Sequence, residues 1–350
     1  METGLKIAFA IIILAAIFVF LPNIIGMATN VTGGAGGTDT GAVAAGMAGL
    51  LTISMDGGDT FKDAAVHASG VPNISGIVNR GIFYYAATNS GLLISKDKGV
   101  NWYSFTDLEK KIDSGTVVYG FTFQPGSSAI FISALKNNHG YVYKTTDNFF
   151  SVDSVWDEPQ VAVRAMAADN GFLYMGTSDG RLLRYRFAAN DFEKIKNFDG
   201  GIADISLSKN GGTIFVTLAG GQIMKNSGSG WAAVQNNSSF FGFGSQSVKL
   251  VLNEDTRGLY IASVSGIFRS PNEGVSWNNV NTVVAPQAPI GALTVANGII
   301  YMSNGYRIYI SDDGGVHWQI KEPFSTQRPV SALYVSGDGK VVIAGTTAGK

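Results

Sequence analysis

The chain has 350 residues, with 45 glycines, no cysteine, 45% hydrophobic residues and only 15% charged ones, where an ordinary soluble chain carries about 25% charged residues. Its 25 Lys and Arg against 26 Asp and Glu leave a formal charge of -1, so no global field attracts phosphate and nucleic acid is excluded as a partner. Without cysteine there is no disulfide scaffold, thiol chemistry or cysteine-held metal, and three histidines offer little for a cluster, so no metal and no cofactor are expected.

From the first residue onwards, Ile7 to Ala28 carry no charge. At ~1.5 Å rise per residue, a helix of that length spans the ~30 Å hydrocarbon layer. Residues 1–28 therefore read as a membrane anchor, with a cleaved signal peptide as the alternative because Pro22-Asn23 and Gly26-Met27-Ala28 resemble a cleavage region. The apolar run resumes at Ile24-Ile25, which favours a retained helix in the lipid bilayer. Lys6 precedes the segment and no charge follows until Asp39. The positive-inside bias then places the rest outside the cytoplasm, in a periplasm, a lumen or at the cell surface, and secreted if the segment is cleaved. Residues 29–49 are Gly, Ala and Thr-rich with one charge, a composition that cannot bury a core and reads as a linker. The folded part is expected over residues 50–350.

Short β-strands follow, read from apolar or alternating runs bounded by Gly, Asn or Asp. They are Ile74 to Val78, Ile82 to Thr88 and Gly91 to Ser95, then Ala165 to Ala167 and Phe172 to Thr177, and Ile202 to Leu207 and Thr213 to Leu218. Val248 to Leu252 and Leu259 to Val264, Ile290 to Val295 and Ile299 to Ser303, and Val330 to Val335 and Lys340 to Thr346 continue the series.

A turn motif punctuates these pairs. It reads Ser-x-Asp/Asn-x-Gly-x-x-aromatic at Ser54, Asp56, Gly58 and Phe61, at Ser95, Asp97, Gly99 and Trp102, at Ser270, Asn272, Gly274 and Trp277, and at Ser311, Asp313, Gly315 and Trp318. Weaker copies lie at Thr145-Thr-Asp147-Asn-Phe149, Arg184 to Phe192 and Asn226 to Trp231. A spacing of ~40 to 50 residues is that of a four-stranded propeller blade. The carboxylate or amide is expected to accept from turn N–H groups, glycine to supply positive φ, and the aromatic residues to pack between blades. The Asp312-Asp313-Gly314-Gly315 stretch lacks the alternating ligands and closing Glu of a calcium loop and reads as a turn.

The chain stops after two strands with no turn motif behind them, whereas Leu50 to Phe61 is the missing second half of such a unit. Val341 to Gly349 joined to Gly49 to Asp56 parallels the continuous stretch Ala86 to Asp97. The expected fold is therefore an all-β, seven-bladed propeller whose ring is closed by N-terminal strands completing the last blade.

These motifs resemble the Asp-box, or BNR-repeat, propellers found in sialidases, sortilin-type receptors, xyloglucanases and the photosystem II assembly factor family. The resemblance covers Leu50 to Lys350 and, in length and simplicity, looks closest to the assembly-factor type. It implies the propeller fold, while function varies across the family.

If the boxes join third to fourth strands, the second-to-third joins and the inter-blade joins share the opposite face, where ligands of this fold usually bind. The candidate loops are Asp63 to Asn73, Tyr103 to Thr116, Asp153 to Gln160, Ala232 to Gln246, Asn278 to Pro289 and Gln319 to Pro329. Thr106 to Lys111 begins like a capping box, with a solvated charged loop as the alternative. Phe240, Phe241 and Phe243 could meet a partner or close as a lid. Arg164 and Lys249 read as equivalent positions at the starts of inner strands, beside Asp204, with Arg181, Arg184 and Arg186 nearby. Arginine suits carboxylate recognition, although structural ion pairing explains such residues equally.

Sialidases carry an Arg-Ile-Pro segment before the first box, and none occurs here. The acids of the candidate loops include no pair that sequence places across a scissile bond. A non-enzyme is expected: a membrane-tethered, extracytoplasmic interaction scaffold or assembly factor for a membrane or envelope protein complex. The alternatives are a glycoside hydrolase or glycan-binding lectin, and a structural subunit of a cell-surface assembly.

Overall fold

The computed structural model describes residues 50–68, 72–107, 110–149, 151–208, 212–234, 249–253, 258–263, 266–280, 290–324 and 328–347. Within them the chain forms seven sheets, six of four strands and one of five, each holding the four strands of a blade in radial order. Blade 1 contains Ile74–Arg80, Phe83–Thr88, Gly91–Ser95 and Asn101–Phe105, and blade 2 contains Val117–Phe123, Ile130–Lys136, His139–Thr145 and Asp153–Pro159. Blade 3 contains Val163–Ala168, Phe172–Thr177, Arg181–Arg186 and Asp191–Asn197; blade 4 contains Ile202–Leu207, Ile214–Leu218, Ile223–Asn226 and Trp231–Ala233. Blade 5 is built from Lys249–Asn253, Gly258–Ser263, Gly266–Ser270 and Asn278–Asn279, and blade 6 from Ile290–Ala296, Ile299–Asn304, Arg307–Ser311 and Gln319–Lys321.

Blade 7 joins the two ends of the chain. Val330–Val335 and Val342–Thr346 come from the C-terminal side, and Leu51–Ser54 and Lys62–Asp63 complete the sheet outside them. Thr52 lies opposite Ala344 and Ile53 opposite Ile343. Each innermost strand touches that of the next blade, and Val330–Val335 touches Ile74–Arg80. The ring is thereby closed, and the fold is an all-β, seven-bladed propeller.

Its core is divided into layers between blades rather than gathered in one centre. At the closing junction Leu51, Ile53 and Ile343 of blade 7 pack on Ile74, Tyr84 and Trp102 of blade 1. At the next junction Tyr85 and Leu92 meet Ile130, Ile132, Tyr143 and Phe149. Second strands face a neighbouring blade on both sides, which is why Phe83–Thr88, Phe172–Thr177 and Ile299–Asn304 are almost wholly buried and read as continuous apolar runs.

Fourth strands differ. They form the rim, so Asp153–Pro159 and Gln319–Lys321 are largely exposed and lack an apolar pattern. The expected loops beginning at Asp63, Tyr103, Asp153, Ala232, Asn278 and Gln319 are therefore corrected: each begins with residues of a fourth strand. The expected loop from Asp63 also holds a further strand, Ala65–His67, which runs parallel to Asn101–Phe105 outside blade 1. Lys62–Asp63 pairs with Leu51–Ser54 in blade 7, so this one stretch sews the closing blade to the first.

Among the described residues no helix is long and apolar enough to cross a membrane. The segment 1–28 lies outside those residues.

Candidate functional site

The turn motifs join third to fourth strands, which puts them with the first-to-second turns on one face of the ring, the box face. The second-to-third turns and the inter-blade connections share the other, the loop face.

On the box face one geometry recurs. The Ser54 hydroxyl donates to Asp56 Oδ1 at 2.6 Å and accepts the Gly58 N–H at 2.8 Å. Asp56 also accepts the Thr60 N–H and hydroxyl at 2.9 and 2.6 Å. Ser95/Asp97, Ser270/Asn272 and Ser311/Asp313 repeat it. Gly58, Gly99, Gly274 and Gly315 all take positive φ. The Ser54 and Thr60 hydrogen bonds hold the Asp56 carboxyl well below the usual carboxylate range. The His317 backbone N–H and ring do the same for Asp313. These carboxylates are consumed by their own turns. Trp102 is fully buried, whereas Phe61, Trp231, Trp277 and Trp318 are half-buried, so the aromatic position packs between blades to unequal depth.

At Thr145 the weaker copy has the full arrangement: its hydroxyl donates to Asp147 at 2.9 Å and accepts the Phe149 N–H at 3.0 Å. Phe149 occupies the glycine position with φ 72°.

The loop face carries the expected basic residues, with a different register. Most innermost strands hold an extra residue near their start. Ser75, Tyr119, Arg164 and Ser331 are such bulge residues, each skipped by the ladder to its second strand. Lys249 is not one of them. It pairs with Ala262, the penultimate residue of its second strand, as Asp204 pairs with Thr217 and Ala165 with Gly176. The expected equivalence of Arg164 and Lys249 is therefore corrected, because the inserted residue shifts the count by one. The Lys249 side chain, and Phe240, Phe241 and Phe243, lie outside the described residues.

The bulge residues show two uses. Ser75 donates to the Val118 carbonyl of the next blade at 2.8 Å, and Ser331 donates to the Ile74 carbonyl of its next blade at 2.6 Å. Both bind blade to blade. In blades 2 and 3 the same position is given to Tyr119 and Arg164, and the Arg164 guanidinium stands 4.5 Å from the centre of the Tyr119 ring. Arg164 is exposed and Tyr119 half-buried. The contact fixes a planar donor fork over a π face. Among the described residues Arg164 meets no carboxylate. The pair stands on adjacent innermost strands at the loop-face mouth of the central channel.

The other arginines are engaged. Arg181 bonds Asp179 at 2.8 Å and Glu158 of blade 2 at 2.9 Å. Arg184 pairs with Glu193 and covers the Phe172 ring, and Arg186 pairs with Asp191. The Asp204 carboxylate accepts the Ile205 N–H at 2.9 Å. In the Thr106 to Lys111 region residues 108–109 lie outside the described residues, and the Lys110 N–H donates to the Asp107 carbonyl at 3.0 Å across them. The buried Asp107 carboxylate accepts the Ile112 N–H at 2.6 Å, and Lys136 holds both the Lys110 carbonyl, at 2.6 Å, and Asp113, at 2.8 Å. Sequence reading missed Tyr119, since an aromatic residue within an apolar strand carries no sign of a bulge.

No protein-family model matches the chain, and no curated relative is found by sequence. Solved structures do match. YCF48 bound to a D1 peptide aligns at 16% identity and TM-score 0.59, covering 79% of this chain and 94% of that one. YCF48 from Cyanidioschyzon merolae aligns at 14% identity and TM-score 0.60, covering 80% and 97%. The extracellular domain of a one-component system protein, BT4673, from B. thetaiotaomicron aligns at 13% identity and TM-score 0.61, covering 87% of this chain and 44% of that one. At these identities the likeness is one of fold.

Proposed function

We propose that the chain is a non-catalytic propeller of the Asp-box type, which binds a membrane or envelope protein complex as a scaffold or assembly factor. The observation that carries the reading is the Arg164–Tyr119 pair. At a position where blades 1 and 7 use serine to bind the neighbouring blade, blades 2 and 3 spend an exposed guanidinium on a tyrosine ring. An arginine held in this way is prepared for a carboxylate of a partner, through two parallel hydrogen bonds. Lys249, Asp204 and the loop of Phe240, Phe241 and Phe243 complete the proposed surface. That YCF48 of the same fold has been solved with a peptide bound supports peptide recognition as the use of this ring. Residues 1–28 act as the anchor and place the ring outside the cytoplasm, which raises its local concentration near membrane partners.

The test is affinity purification of the full chain from native membranes, with mass spectrometry of what accompanies it. Charge reversal by Arg164→Glu with Lys249→Glu is expected to remove the partners about tenfold or more, as loss of a buried charge pair costs more than 1.4 kcal/mol. Unchanged partners would contradict the reading. Turnover of fluorogenic sialosides or β-glucans, abolished by one acid substitution, would replace it with the glycosidase alternative.

A further inference from the structure

Blade 4 breaks a pattern of the box face. In blades 7, 1, 5 and 6 the box presses its glycine against the preceding blade: a Cβ would come 2.6 Å from Ile310 at Gly58, 2.7 Å from Ile343 at Gly99, 3.1 Å from Val234 at Gly274 and 3.0 Å from Val280 at Gly315. Blade 2 fills its junction with the Phe149 ring, which packs on Tyr85 and Phe105. The turn of blade 4, Asn226 to Trp231, has six residues where Ser54 to Phe61 has eight, and a Cβ on Gly228 meets nothing within 4 Å. A cavity of about 270 Å³ is left between blades 3 and 4, lined by Tyr174, Arg184, Glu193, Ile195, Ile214 and Asn226, with Gly212 and Gly228.

The chemistry of this notch differs as well. Arg184 lies opposite Tyr174 in the ladder, where blade 6 puts Ile310 opposite Tyr301. Its guanidinium is held by the Glu193 carboxylate and the Phe172 ring, and Tyr174 donates to Asp169 at 3.3 Å. The Asn226 side-chain oxygen accepts the Gly228 N–H at 2.8 Å, and its amide nitrogen meets no acceptor among the described residues.

We propose that this notch binds one neutral saccharide unit, on the face opposite the Arg164–Tyr119 pair and independently of it. Charge decides the class: an anion meets Glu193 beside Arg184, and a cation meets Arg184 itself. A hydroxyl suits both groups, because it donates to one and accepts from the other. Vicinal hydroxyls of a pyranose donate to Glu193 and accept from Arg184 and Asn226, while its C–H face rests on Ile195 and Ile214. An apolar wall with a few convergent polar groups is the usual make-up of a small-molecule site, and the volume lies just below the ~300–1,000 Å³ of drug-sized ligands. Glu193 is the one acid among the described lining residues, whereas glycoside hydrolysis uses two, so the site holds a sugar without cleaving it.

The test is saturation-transfer NMR on the full chain, in a detergent without a sugar headgroup. Methyl glucoside, methyl galactoside and methyl mannoside are the probes, and methyl glucuronide is the charged control. Transfer to the ring protons of at least one neutral glycoside is expected, with little to the glucuronide. Asn226→Ala and Glu193→Gln each weaken one hydrogen bond to the sugar and should lower affinity about fivefold. Gly212→Trp fills the notch without backbone strain, since that glycine has no positive φ and a Cβ there meets nothing within 4 Å; it should abolish binding. Three variants at separate positions guard against one that misfolds, and thermal melting of each checks its fold. No transfer to any neutral glycoside, transfer that survives Gly212→Trp in a folded chain, or a preference for the glucuronide overturns the proposal.

Discussion

Phe149 shows how one residue departs from the repeat and is compensated. In the box of blade 1 a Cβ on Gly99 would come within 2.7 Å of Ile343 Cδ1, so any side chain there must displace that methyl, and the positive φ suits glycine. In blade 2 the same position holds Phe149, whose ring packs 4.7 Å from Tyr85 and 5.8 Å from Phe105 and is fully buried. Restoring glycine there relieves roughly 1–2 kcal/mol of left-handed backbone strain but removes about 3–5 kcal/mol of buried aromatic packing. Phe149→Gly is therefore expected to destabilise the ring by about 2 to 3 kcal/mol in urea unfolding; a neutral or stabilising result would contradict this account of the turn. The box carboxylates carry a pH signature. Asp56 and Asp313 titrate lower folded than unfolded, so their contribution is present above the unfolded value, near pH 4, and is lost as pH falls below it. Urea midpoints of the wild type should drop on acidification below about pH 4, and Asp56→Asn with Asp313→Asn should flatten that drop. At this scale sequence made the box legible, because its hydrogen bonds are local. The Arg164 site was legible only as a basic residue. Its register and its tyrosine depend on a bulge, which exists only in the pairing of two strands.

Elements divide by what they face. The first and second strands of six blades, and Gly91–Ser95 in blade 1, declare themselves through apolar runs because they pack against neighbours, whereas the strands of blade 2 went unread and the fourth strands look like loop because most of their side chains are exposed. Ala65–His67 was hidden for the same reason: only Val66 is buried, and the strand forms through backbone pairing with Asn101–Phe105 and the stacking of His67 on Tyr103, with ring centres 4.7 Å apart. Elements also need binding to one another. Ser331 reaches across the closing junction to the Ile74 carbonyl, joining the last innermost strand to the first. Ser331→Ala removes that hydrogen bond and leaves a carbonyl without its donor, so a loss of about 1–2 kcal/mol is expected. Chemical denaturation checks it, and the same loss should follow Ser75→Ala at the next junction. If both serines prove neutral, the inter-blade role assigned to the bulge position fails, and with it the contrast that marks Tyr119 and Arg164 as different.

At the scale of the whole molecule, closure was the most legible feature, because the incomplete units at the two ends of the chain complement one another, and Leu51–Ser54 lies against Val342–Thr346 in the register that joining them implies. Glycine abundance and scarce charge follow from the same architecture, with many tight turns and blades buried on both faces. Closure also predicts alkaline behaviour. Tyr334, on the last innermost strand, stands edge-on to Tyr84 of blade 1 with ring centres 5.5 Å apart, and burial pushes its phenol up to about 12. The unfolded chain ionises near pH 10, so the folded ring keeps a proton that the unfolded chain has lost. Stability is therefore full below about pH 10 and declines as pH rises towards 12; Tyr334→Phe should lessen the decline in unfolding measured across that range. The ligand was not legible, since a partner leaves no periodic trace in the chain that binds it. The central claim, recognition at the channel mouth, is tested most directly by replacing Tyr119 with photoreactive benzoylphenylalanine and irradiating native membranes. The account predicts discrete crosslinked partners from this position, lost when Arg164→Glu is added and absent when the same group replaces Ile82 on the box face. Equal crosslinking from both faces, or crosslinks indifferent to Arg164, would contradict it.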